Sequence, residues 1–291
     1  MTLPEGTETL ELDLDNGLHM RAYSRGAGPR TVLLLHGFPE LALSWTEQLA
    51  DVPAGFRLIA PDLRGYGGTD APKEVREYRI EKLVGDVLAL ARAVDAPVFD
   101  LVGHDWGGAI AWEVARRAPE HLRTLSILNC PPGDLLARQL RKNPKQLKMS
   151  WYVFLFQIPG LPQWIFQRDP RKVLKQSFQS IALRPEIFTD ERLAPYIEQV
   201  RSKGLPGIKY YRAAVSAAFD RKRPPKIELP TRVIWGLGDG ALGPWFAEAE
   251  TYRHTASQLD IVRIPEAGHW VQQEAPEQVN RALHEHWLAH G

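Results

Sequence analysis

The sequence predicts an α/β protein: a mostly parallel sheet of eight strands, flanked by helices, with a helical segment inserted between two late strands. Three observations carry that prediction. Short apolar runs recur along the chain, and helix-length stretches lie between many of them, the alternation expected of a sheet with helices on both faces. Most of these runs are apolar at consecutive positions, as in strands buried on both sides. From about residue 133 to 225 the strand pattern stops, and aromatics, Arg, Lys and Pro recur at helical spacing.

The elements follow in order. Leu10, Leu12 and Leu14 alternate with acidic residues and read as a half-buried strand. Asn16-Gly17 then marks a hairpin, and residues 18–24 form its second arm. Buried strands are expected at 31–35, 57–60, 98–102, 124–128, 231–235 and 259–264, and helices at 44–51, 80–94, 106–117 and 276–290. The insertion closes at Lys222-Arg223-Pro224-Pro225, and the strand-like TRVIWG (231–236) follows. The domain reading is therefore a core of residues 1–132 and 225–291, with a helical cap of 133–224 lying over the strand ends where ligands bind in such sheets.

Bulk composition removes several classes of function. The 291 residues are 44% hydrophobic and 24% charged, enough to bury a sizeable core. A net charge of +1 gives no reason to expect nucleic acid or an anionic membrane as a partner. Residues 151–156, the longest strongly apolar piece, are too few to span a bilayer. One cysteine, Cys130, allows no internal disulfide, and the acidic N-terminus lacks the apolar core of a signal peptide. A soluble, cytoplasmic protein is expected, and no pattern assigns an oligomeric state.

Chemistry enters at LVGHDWGGAI, residues 101–110. Gly103, Asp105 and Gly107 form G-x-D-x-G between a buried strand and a helix pattern, the context of a nucleophile elbow. Asp105 stands where many hydrolases carry serine. The plainer alternative is that Asp105 only caps the helix. Other motifs favour the elbow. HGFP (36–39) follows an early strand, so the backbone N–H groups of Phe38 and Trp106 become candidate oxyanion donors. Asp239 follows the strand RVIWG, and His269 follows LDIVRI. Each alone reads as a turn or surface residue; together they give the order nucleophile, acid, histidine. The other histidines show no metal spacing such as H-E-x-x-H, so no metal or other cofactor is expected.

With these motifs in place, the chain resembles the α/β-hydrolase superfamily and, within it, the soluble epoxide hydrolases. HGFPELALSW (36–45), PDLRGYGGTDAP (61–72), GHDWGG (103–108), GLGDGALG (236–243) and GHW (268–270) carry the resemblance over nearly the whole chain. It implies an aspartate nucleophile, no cofactor, and two cap tyrosines that hold the epoxide oxygen. Tyr152, shortly before Phe156-Gln157-Ile158-Pro159-Gly160, and Tyr211, in Tyr210-Tyr211-Arg212, match their positions. Haloalkane dehalogenases share GHDWGG, but they need a second halide donor besides Trp106. Phe38 offers only its backbone there, which leaves Trp151 and Trp164 as candidates. Fluoroacetate dehalogenases carry arginine where this chain has Trp106. A non-catalytic relative that binds a hydrophobic ligand is a third reading, disfavoured by the full Asp105, Asp239 and His269 set.

The expected reaction converts a lipophilic epoxide and water to a vicinal diol. An ionised aspartate attacks carbon without a base and forms an alkyl ester. Serine would form an ether, which water does not readily cleave. His269, oriented by Asp239, would activate the water that attacks the ester. The apolar substrate is inferred from Trp151, Phe154, Phe156, Trp164, Phe166, Phe178 and Phe188, although some of these are expected simply to pack the cap onto the core.

Overall fold

Eight strands form one sheet in the order β1-β2-β4-β3-β5-β6-β7-β8. This computed structural model describes residues 2–217 and 224–291. The strands are β1 (Glu8–Asp13), β2 (His19–Arg25), β3 (Arg30–Leu35), β4 (Phe56–Pro61), β5 (Phe99–His104), β6 (Leu122–Leu128), β7 (Thr231–Gly236) and β8 (Leu259–Ile264). β1 and β2 form the expected hairpin and β2 pairs antiparallel with β4. Every other pairing is parallel.

The helices outside the insertion are α1 (Thr46–Ala50), α2 (Ile80–Ala93), α3 (Trp106–Arg117), α11 (Val271–Glu274) and α12 (Pro276–Ala289). Between β6 and β7 lie α4 (Gly133–Lys142), α5 (Pro144–Met149), α6 (Trp151–Leu155), α7 (Leu161–Arg168), α8 (Pro170–Gln179), α9 (Asp190–Lys203) and α10 (Ile208–Ala217). The expected end of this insertion at Lys222-Arg223 lies outside the described residues.

Strand geometry divides the core in two. Val32 and Leu34 of β3 pack with Trp45, with Leu49 of α1 and with Leu283 and Trp287 of α12. Leu33 and Leu35, on the opposite face, pack with α2 and α3 through Leu90, Ile110 and Trp112. Successive strand side chains point to opposite faces, so the run of four apolar residues, Val32 to Leu35, serves both cores at once.

Two expectations need correction. The helix expected over 44–51 is a 3-10 turn, Ala42–Trp45, running into α1. The strand expected from 98 begins at Phe99, because Val98 follows Pro97 and is exposed, while the following residues are buried. From β3 the sheet grows to β4 on one side and to β5 on the other. That reversal opens a crevice at the C-terminal strand ends.

Candidate active site

Asp105 sits between β5 and α3 with φ +49° and ψ −119°, a strained conformation for a residue with a Cβ. Gly107 makes the turn possible: a Cβ there would meet the Leu35 carbonyl oxygen at 2.1 Å. Asp105 occupies the cap position of α3, but its side chain makes no capping hydrogen bond. Instead the N–H of Phe38 donates to Oδ1 at 2.7 Å. Phe38 lies in the loop after β3, two positions from Glu40, whose carboxylate accepts the N–H of Gly37. The cap reading therefore gives way to a carboxylate held across the crevice.

The residues singled out in three distant segments converge here. His269 Nδ1 pairs with Asp239 Oδ2 at 2.8 Å, and Nε2 faces Asp105 Oδ2 at 3.7 Å. Burial opposes a charge on His269, but the carboxylates of Asp239, Asp105 and Glu40 outweigh it and raise the imidazole to about 9. Burial also pushes Asp105 above its ordinary value. His269, His104 and the N–H groups of Phe38 and Trp106 oppose that rise.

Several positioning residues had not been singled out in the sequence. Asn129, just beyond β6, donates to Asp239 Oδ2 at 2.7 Å and accepts the N–H of Gly236 at 2.8 Å. The N–H groups of Ala241 and Leu242 hold Asp239 Oδ1 at 2.7 and 2.9 Å. Buried Glu40 joins Gly37, His104, Gln272 and Gln273. Glu274 accepts the N–H groups of Gly268 and Trp270 on either side of His269, and those of Leu183 and Arg184 from the insertion. A strand-end polar residue within an apolar run, such as Asn129 or His104, was the available sequence signal.

Both tyrosines singled out in the insertion, Tyr152 and Tyr211, come to this place. Tyr211 stacks edge-on to Phe38 and Trp106, with ring centres 5.2 and 5.0 Å away, and Tyr152 lies 6.0 Å from Tyr211. Burial pushes both phenols up, and the charge of Asp105 pushes the same way. The neighbouring Tyr210 is occupied elsewhere, donating to the Arg64 carbonyl at 2.8 Å.

The seven aromatics divide three ways: four pack the insertion onto the core, as expected of some of them, and three do neither that nor line a pocket. Phe156 and Phe166 pack on Phe38. Phe178 and Phe188 pack on Trp270. Trp151, Phe154 and Trp164 instead face outward, 62, 58 and 56% exposed.

The alpha/beta hydrolase fold family matches residues 30–276. The AB hydrolase superfamily protein YfhM of Bacillus subtilis is 34% identical over 272 residues, covering 92% of this chain and 93% of its own. Human Epoxide hydrolase 4 is 34% identical over 276 residues, covering 92% of this chain and 75% of the human protein. The crystal structure of the Bacillus megaterium epoxide hydrolase in complex with an inhibitor superposes with a TM-score of 0.84 at 27% identity, over 96% of this chain and 99% of that one. The chain belongs to the α/β-hydrolase superfamily and, within it, to the epoxide hydrolase family of hydrolases.

Proposed function

We propose that this enzyme opens a lipophilic epoxide to a vicinal diol through an ester on Asp105. One observation carries the reading: the Asp105 carboxylate lies close enough for its charge to act on the phenols of both Tyr152 and Tyr211, and a carboxylate-paired imidazole stands beside it. Asp105 attacks an epoxide carbon, and the ring C–O bond breaks as the ester C–O bond forms. Tyr152 and Tyr211 donate hydrogen bonds to the departing oxygen, and one of them gives it a proton. Acid assistance of this kind is typically worth about 10²–10⁴-fold.

In the second step His269 removes a proton from water, which attacks the carboxyl carbon of the ester. Asp239 steadies the imidazolium that forms. The N–H groups of Phe38 and Trp106 stabilise the tetrahedral oxyanion; losing one such donor typically costs about 2.7–4 kcal/mol. Collapse breaks the ester C–O bond, and the departing alkoxide takes the proton of the new carboxyl hydroxyl, which releases the diol and restores the Asp105 carboxylate; the proton on His269 returns through solvent to the phenolate. Helices α4–α10 act as a cap domain of residues 133–224 over a core of 1–132 and 225–291. The partners are the epoxide and water, without nucleic acid, in a cytoplasmic setting.

Haloalkane dehalogenation is disfavoured by the same geometry. Trp151 and Trp164, the remaining candidates for a second halide donor, are exposed at the surface of the insertion. A trapping experiment separates the readings. His269→Gln, incubated with aryl and alkyl epoxides and haloalkanes, is expected to gain the whole mass of an epoxide on Asp105. An adduct equal to a haloalkane less its hydrogen halide would make the protein a dehalogenase. No adduct, with the natural protein also inactive on the panel, would favour a binding protein.

A further inference from the structure

The outer face of the helical insertion carries a row of apolar side chains that neither the fold nor the site uses. Trp151, Phe154 and Ile158 are 62, 58 and 47% exposed, and Leu147 is 42% exposed. Leu147, Trp151 and Phe154 are spaced by four and three residues, the spacing of one helix face, and Ile158 follows in the bend just past α6. Helices α5 and α6 run on nearly as one: the N–H of Ser150 bonds to Gln146 and that of Val153 to Ser150. Tyr152 and Phe156 lie on the inner side, against Tyr211. On α7, exposed Trp164 has the Arg168 guanidinium 5.3 Å above its ring.

Charge accompanies the row. Residues 133–175 contain nine Lys and Arg but only two acidic residues, Asp134 and Asp169, in a chain whose net charge is +1. Arg138, Arg141, Lys142, Lys145 and Lys148 are exposed, and none has a carboxylate partner among the described residues. Aromatic and aliphatic side chains beside Lys and Arg form the face with which a helix lies on an anionic lipid surface. A two-fold contact with a second copy would instead bring these cations against one another. No helix among the described residues is long and apolar enough to cross a membrane, so such contact is peripheral.

We propose that this face docks on anionic lipid, with Trp151, Phe154 and Ile158 entering the headgroup layer and the adjacent Lys and Arg residues meeting lipid phosphates. The inference is independent of the chemistry proposed above. It also places the helix carrying Tyr152 between the lipid and the candidate site.

Vesicle sedimentation of the full chain tests the proposal, using phosphatidylcholine vesicles with and without phosphatidylglycerol. Binding is expected only to vesicles containing phosphatidylglycerol, weakening as salt is added. Two variants, Trp151→Ser/Phe154→Ser/Trp164→Ser and Arg141→Glu/Lys145→Glu/Lys148→Glu, should each lower partitioning by about tenfold or more. Circular dichroism melting checks folding; if the aromatic variant does not fold, the charge variant decides. No binding to anionic vesicles, or binding that the folded variants leave unchanged, overturns the proposal. So does concentration-dependent self-association that the aromatic variant abolishes while the natural chain ignores vesicles; that outcome assigns the face to a second copy.

Discussion

The Nε2 of His269 stands 3.7 Å from the Oδ2 of Asp105, beyond a hydrogen bond yet close enough for each charge to act on the other. A serine nucleophile needs its histidine bonded to it, because the hydroxyl must lose a proton. A carboxylate does not. The separation leaves the imidazole free for water in the second step of the proposed reaction.

This spacing sets a pH dependence. With His269 raised to about 9, the neutral base is a small minority at pH 7, roughly one part in a hundred. Esterification removes the charge of Asp105, one cause of that rise, so the ester form releases the proton at lower pH. Single-turnover ester hydrolysis should therefore increase with pH, with an apparent pKa below about 9. The alkylation step should show no matching increase. Rapid-quench measurements resolve the two, and a pH-independent hydrolysis step would remove His269 from the role of base.

Tyr152→Phe and Tyr211→Phe should each slow ester formation by about 10–100-fold, and the double variant more. Each change removes only a hydroxyl, so the melting temperature should stay close to that of the natural chain. A Tyr210→Phe control loses the bond to Arg64 and should affect stability more than the alkylation rate. If the two single variants alkylate at the natural rate, the acid role fails.

Glu40 accepts hydrogen bonds from four directions while fully buried. Burial pushes its carboxyl up, but His104 and the N–H of Gly37 more than offset this and hold it low. Glu40→Ala would leave those buried donors without an acceptor and should destabilise the fold in urea titrations by roughly 1–3 kcal/mol for each donor left unpaired. Glu40→Gln should cost less. Both should slow ester hydrolysis, because the loops holding Phe38 and His269 are tied to this side chain.

Gly37 admits no side chain. A Cβ there would lie 2.5 Å from Asp105 Cβ and 2.7 Å from its Oδ1. Gly37→Ala should reduce turnover by 10² or more while leaving the protein folded, since the collision falls on the proposed nucleophile and its proposed oxyanion donor. Turnover close to that of the natural chain would mean that the loop can move without cost to the reaction.

The sequence by itself determined the sheet, the elbow and the chain order of Asp105, Asp239 and His269. Each of those signals is local: an apolar run, a turn chemistry, or a polar residue just past a strand. Phe38 and Trp106 were legible for the same reason, as backbone positions next to such turns. Only the tertiary structure decided what holds those residues in place. Asn129 reaches Asp239 across 110 residues and Gln273 reaches Glu40 across 233, and such partners depend on the strand order, which no local pattern encodes. Side-chain direction was likewise undecided. Helical spacing could not tell which face of α6 turns inward, so Tyr152 at the site and Trp151 and Phe154 at the surface became distinct only once the insertion had packed against the sheet.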